Sequence, residues 1–177
     1  MTRDQLEHAI RAACDVAEDS EVWVFGSQAI LGEFPDAPEA LRASIEVDMQ
    51  PKNRPDKAGL VDGALGEMSQ FHKTHDFYVH GLLIDGSAFP QGWEHRAKPV
   101  VGEISTRGKI GWCVEIHDLA ASKLAAYREK DRDFVRTLLI EGMITAKILI
   151  ERISLLKIDE ELRDRLLQWI HYTIEEL

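Results

Sequence analysis

The chain has 177 residues, 45% of them hydrophobic and 29% charged, with a formal net charge of −10. That composition excludes disordered and fibrous classes and suits one α/β domain with a helical appendage. The acidic balance opposes broad attraction to nucleic acid or to an anionic membrane surface, leaving only a local basic pocket for such contacts.

Leu6, Ile10, Ala13 and Ala17 recur at helical spacing, so residues 3 to 18 read as an amphipathic helix. Cys14 and Cys113 are far apart and no charged-then-apolar leader precedes this helix, which points to a reduced, cytoplasmic protein without disulfides. No apolar run approaches the roughly 20 residues of a membrane span, so no membrane partner is expected.

Glu21 to Phe25 is a short β-branched and aromatic run that stops at Gly26, the pattern of a buried strand followed by a turn. Ser27 and Gln28 then lead into the apolar run Ala29 to Gly32, a strand–turn–helix sequence. Glycine lets backbone approach a phosphate, serine adds a hydroxyl, and amides at a helix N-terminus favour an anion. A second strand is predicted at 44 to 49, with Ile45, Val47 and Met49 alternating against Ser44, Glu46 and Asp48. Its acidic pair places two carboxylates on one face, with Cα atoms about 7 Å apart, a spacing suited to sharing a divalent ion such as Mg2+ (or Mn2+).

Residues 56 to 68 are weakly helical and 77 to 84 suggest a third strand. His80, between Val79 and Gly81, reads more readily as a satisfied interior histidine than as a catalytic one. His72 and His75 are read as surface residues, since no cysteine or third histidine stands at ligand spacing. Residues 86 to 108 carry repeated Gly and Pro and read as loops and short edge strands, with Trp93 a loop anchor. Residues 109 to 116 return to the sheet. Beyond 117, helical spacing dominates in 118 to 130, 131 to 141, 143 to 154 and 159 to 176, the last with a stripe of Leu162, Leu166, Ile170 and Ile174. The predicted architecture is an α/β (α+β) core over 1–116, a mixed sheet flanked by helices, followed by a helical region over 117–177.

A strand ending in Gly26-Ser27, followed by a strand carrying Glu46 and Asp48, resembles the signature of the nucleotidyltransferase superfamily over residues 22 to 49. DLAASKLAAYREKDRDFV, Asp118 to Val135, is similar to the helix of the bacterial AbiEii-like toxin and related uncharacterised nucleotidyltransferase families. The resemblance implies that Gly26 and Ser27 form the phosphate-side turn, Glu46 and Asp48 hold the metal, and Lys123 contacts the nucleotide. Asp131 would be the acidic residue that follows, with Asp133 its substitute in another register. On a continuous helix Lys123, Tyr127 and Asp131 would share one face, the ends about 12 Å apart. Charged residues 128 to 133 also fit a helix surface laced with ion pairs.

Three departures from the family pattern stand out. Eighteen residues separate Ser27 from Glu46, more than the family's usual spacing; the first acidic residue is Glu where Asp is commoner; and where a third carboxylate is expected the chain has His80, with Asp85 only at the strand's end. The expected activity is transfer of a nucleotidyl group from a nucleoside triphosphate to an RNA or protein acceptor, with a toxin-like role and an antitoxin as implied partner. The alternatives are a catalytically inactive binding or regulatory protein of the same fold, and an α/β protein whose C-terminal helices form an oligomer interface.

Overall fold

The computed structural model describes residues 1–176 and is an α/β structure with a five-stranded mixed sheet and a C-terminal helical region. Its chain divides into two compact units: residues 1–84 with 96–115, and residues 85–95 with the C-terminal segment from 116.

The first unit begins with α1 (Arg3–Ala17). Thr2 accepts a hydrogen bond from the Gln5 amide while the Gln5 side chain accepts one from the Thr2 amide, a reciprocal cap that satisfies two donors at the helix start. Leu6, Ala9, Ile10, Ala13, Cys14 and Ala17 form its buried stripe, as the spacing predicts. Glu18, in a left-handed conformation, ends it.

The sheet strands are β1 (Glu21–Phe25), β2 (Glu46–Pro51), β3 (Tyr78–Gly81), β4 (Lys98–Val100) and β5 (Ile110–Cys113), in the order β3-β2-β1-β5-β4. β1 runs antiparallel to β2 and parallel to β5; β2 and β3 are parallel, and β4 and β5 antiparallel. Val22, Val24, Val47, Met49, Val79 and Cys113 are fully buried on one face. This face receives α1. A Cβ at Gly111, the cross-strand partner of Val22, would lie 2.3 Å from Ile10 Cδ1, so a side chain there would force Ile10 to move. The opposite parity carries Trp23, Glu46, Asp48, Tyr78, His80 and Trp112, all only half-buried or more open.

Three boundaries differ from the sequence reading. β2 starts two residues later than predicted and leaves Ile45 48% exposed, because the alternation alone did not mark the end of pairing. β3 stops at Gly81 within the predicted run, and Ile116 opens a helix instead of extending β5. The weakly helical stretch 56 to 68 becomes α2 (Ala58–Leu65), and a further short helix, α3 (Gln70–His75), follows beyond it.

The second unit contains α4 (Ile116–Ala126), α5 (Glu129–Ile140), α6 (Ala146–Ser154) and α7 (Glu160–Glu175). Leu119, Leu124, Val135, Leu138, Leu149, Ile153, Leu166 and Ile170 make its core. Thr145 and Asp159 cap α6 and α7 through their side chains. On α7 the final inward position falls to Thr173, while the predicted Ile174 is 41% exposed. Asp118 is buried and paired with Arg152 at 3.1 Å. Trp93 is buried against Phe89, ring centroids 5.0 Å apart, as a loop anchor should be. Among the described residues no helix is long and apolar enough to cross a membrane.

Candidate metal centre

The alternation of β2 places Glu46 and Asp48 on the more open sheet face, as their two-residue spacing requires. The parallel neighbour β3 then sets a partner opposite each: Tyr78 faces Glu46 and His80 faces Asp48. The Tyr78 hydroxyl donates to Glu46 Oε2 at 2.6 Å. His80 Nδ1 lies 3.0 Å from Asp48 Oδ1 and 3.8 Å from Glu46 Oε1. One ligand atom from each of Glu46, Asp48 and His80 falls within 4.8 Å of the other two.

On its other edge β2 pairs with β1, bringing Phe25 opposite Asp48 and the Gly26 turn beside it. Gly26 has φ +66 and ψ −169, a region essentially reserved for glycine. A Cβ there would lie 2.1 Å from Asp48 Oδ2. Glycine is thus required twice, by its own backbone and by the carboxylate packed on it. Ser27 opens a short 3-10 helix, Ser27–Gly32, where an α-helix was a natural reading of the apolar run.

Burial and charge act together on Asp48. Asp48 is pushed up to about 6, first by burial and then by the Glu46 charge, while the His80 contact pulls the other way. The Tyr78 hydroxyl is raised above its ordinary value, chiefly because it donates to Glu46 and must keep its proton to do so. Two carboxylates that resist being charged together form a site that gains from a cation. With an imidazole nitrogen beside them, the donors fit a divalent metal.

His80 is the residue most altered by the structure. Its side chain is 45% exposed, so it is not a satisfied interior histidine, and it occupies the place where a third carboxylate was sought. The strand parity of 78 and 80 matches that of 46 and 48, but only the β2–β3 register makes the match meaningful.

The same sheet face continues into Trp23 and Trp112, which are cross-strand neighbours. Lys52 Nζ stands over both rings, at 5.2 and 4.9 Å from their centroids, and bonds Glu21 Oε2 at 2.5 Å. Sequence reading passed over this cluster, since its members come from three strands or strand ends.

Lys123 and Asp131 lie in the helical unit and meet each other. The continuous helix expected through them is broken: α4 ends at Ala126, Tyr127 takes φ +51, and α5 starts at Glu129. The break folds Asp131 back onto Lys123, with Nζ 3.2 Å from Oδ1 in place of the expected separation. Arg128 Nε donates to Asp131 Oδ2 at 2.6 Å, and Lys123 Nζ also stands 4.5 Å from the Phe134 ring centroid. Asp131 is buried. Burial lowers the Lys123 ammonium from its ordinary value, and the Asp131 charge only partly offsets this.

No protein-family model matches the chain, and neither the curated proteins nor the solved structures contain a match.

Proposed function

We propose that the chain is a metal-dependent nucleotidyltransferase, transferring a nucleotidyl group from a nucleoside triphosphate to a hydroxyl on an RNA or protein acceptor. The observation that carries this reading is the packing of the Gly26-Ser27 turn against Asp48, beside Glu46. It joins a backbone that can approach phosphate closely to two carboxylates that can hold a cation, the two parts this chemistry needs.

A bound Mg2+ or Mn2+ would neutralise charge developing on the transferred phosphoryl group. Glu46 and Asp48 hold the ion, and Tyr78 fixes the Glu46 carboxylate by its hydrogen bond. Gly26, with no side chain of its own, lets the Asp48 carboxylate pack on the turn, with the Ser27 hydroxyl next in sequence. A toxin-like role, with an antitoxin as partner, remains part of this proposal through the resemblance alone.

A second reading is a binding or regulatory protein of the same fold without catalysis. The Lys123–Asp131 pair favours it, because Lys123, which the family pattern would give to the nucleotide, already has Asp131 as a partner. The two readings separate when the protein is incubated with each α-labelled nucleoside triphosphate, Mg2+ or Mn2+, and cellular RNA or protein. Label transferred by the native chain and abolished by Asp48→Ala supports the enzyme. Nucleotide retained without transfer supports the binding protein.

A further inference from the structure

Each carboxylate of the centre turns one oxygen toward His80. Glu46 Oε2 accepts from Tyr78, while Oε1 faces His80 at 3.8 Å. Asp48 Oδ2 lies over Gly26, while Oδ1 faces His80 at 3.0 Å. Two oxygens and one imidazole nitrogen therefore converge, held by strand register on two neighbouring strands and not by loops.

We propose that this centre takes a nitrogen-accepting transition-metal dication, of the Mn2+ and Co2+ class, in preference to Mg2+, with His80 Nδ1 as its third protein ligand. The inference rests on the metal-site part of the reading above, and not on its nucleotide chemistry. Atoms bound about 2.1 Å from one ion in adjacent positions stand roughly 3 Å apart in octahedral and about 3.4 Å apart in tetrahedral geometry. The observed 3.0 and 3.8 Å from His80 Nδ1 bracket that range, and one ligand atom from each of the three residues lies within 4.8 Å of the others. Mg2+ favours oxygen and sheds water reluctantly, whereas imidazole suits the later first-row metals. Tyr78 then acts from behind Glu46 as a positioning residue, fixing which oxygen is offered.

The test uses the full chain stripped of metal with a chelator and titrated with Co2+, followed by its visible d–d absorption, with Mg2+ as competitor. The expected result is one Co2+ per chain, at least about 10-fold tighter than Mg2+. His80→Ala should weaken Co2+ by roughly 10- to 100-fold and leave Mg2+ nearly unchanged. His80→Asp, which supplies oxygen at the same place, should narrow the Co2+ preference and shift the absorption band. Co2+ binding that ignores both substitutions, or Mg2+ that displaces Co2+ at equal concentration, would overturn the proposal. No nucleotide enters the titration, so Co2+ bound through His80 in a protein that transfers nothing sinks the enzyme reading alone. Co2+ bound equally by the native chain and by both His80 variants, in a protein that does transfer label, sinks this one alone.

Discussion

The carboxylate of Asp48 lies against the backbone of Gly26, closely enough that a single added carbon at Gly26 would come 2.1 Å from Oδ2. Antiparallel pairing of β1 with β2 creates this contact, by setting Phe25, the last residue of β1, opposite Asp48 and Gly26 just after it. Gly26→Ala should therefore act on stability and on the site at once. The backbone region it occupies costs a side-chain-bearing residue about 1–3 kcal/mol, and the displaced carboxylate should weaken divalent-metal affinity as well. Urea unfolding and metal titration of the same variant check both. A variant that loses neither would remove Gly26 from the account.

Asp48 supplies the pH dependence. Its folded value of about 6 stands above that of an unfolded aspartate, so the folded state holds the proton more tightly. The stability this contributes is fully present below about pH 4, the unfolded value, and is lost as pH rises through about 6. In chelated protein at neutral pH, Asp48→Asn should thus be more stable than the native chain, by on the order of 2 kcal/mol. The gain should vanish at pH 4 and should come with lost metal affinity. Thermal melts across pH 4 to 8 measure it; a destabilised Asn variant at pH 7.5 would mean that Asp48 is held by something other than burial and Glu46.

Lys123 and Asp131 predict an asymmetry in the helical unit. Asp131 is 1% exposed and its partner Lys123 12%, whereas Arg128 is 62% exposed. Asp131→Ala removes the carboxylate that faces the buried Lys123 ammonium and should cost about 3 kcal/mol or more. Arg128→Ala removes an exposed partner and should cost no more than about 1 kcal/mol. Urea denaturation ranks them, and equal effects would contradict the buried pair.

Asp19 joins the end of α1 to the segment after β2. It is buried and accepts hydrogen bonds from the amides of Glu21, Asn53 and Arg54 and from the Asn53 side chain. Burial pushes its carboxyl up, but these bonds prevail and hold it below the ordinary value. Its contribution is present above about pH 4 and is lost as pH falls through the lowered value. Asp19→Ala should cost about 2–3 kcal/mol at pH 7, and less in acid. Unfolding at pH 7 and pH 3 compares the two.

The elements with strong local signals were legible. Gly26 after a β-branched run marked the turn, and the two-residue spacing of Glu46 and Asp48 put them on one face whatever the rest of the chain did. His80 was not legible as a ligand, because its meaning depends on β3 pairing in parallel with β2 across α2 and α3, a non-local register. The helix break at Tyr127 was equally hidden: tyrosine is no turn residue, yet it takes φ +51 there, where Asp131 becomes able to reach Lys123. Local periodicity places side chains on faces; only pairing and packing decide which faces meet.

In the proposed function, Glu46, Asp48 and His80 hold a metal ion that binds the phosphates of a nucleoside triphosphate beside the Gly26-Ser27 turn. Equilibrium dialysis of a labelled, non-hydrolysable nucleoside triphosphate checks this most directly, with native chain and Asp48→Asn, each with Mn2+ and with chelator. Retention by the native chain only when Mn2+ is present, and by the Asn variant in neither condition, is the predicted result. Retention that survives chelation, or that is equal in the two proteins, would contradict it.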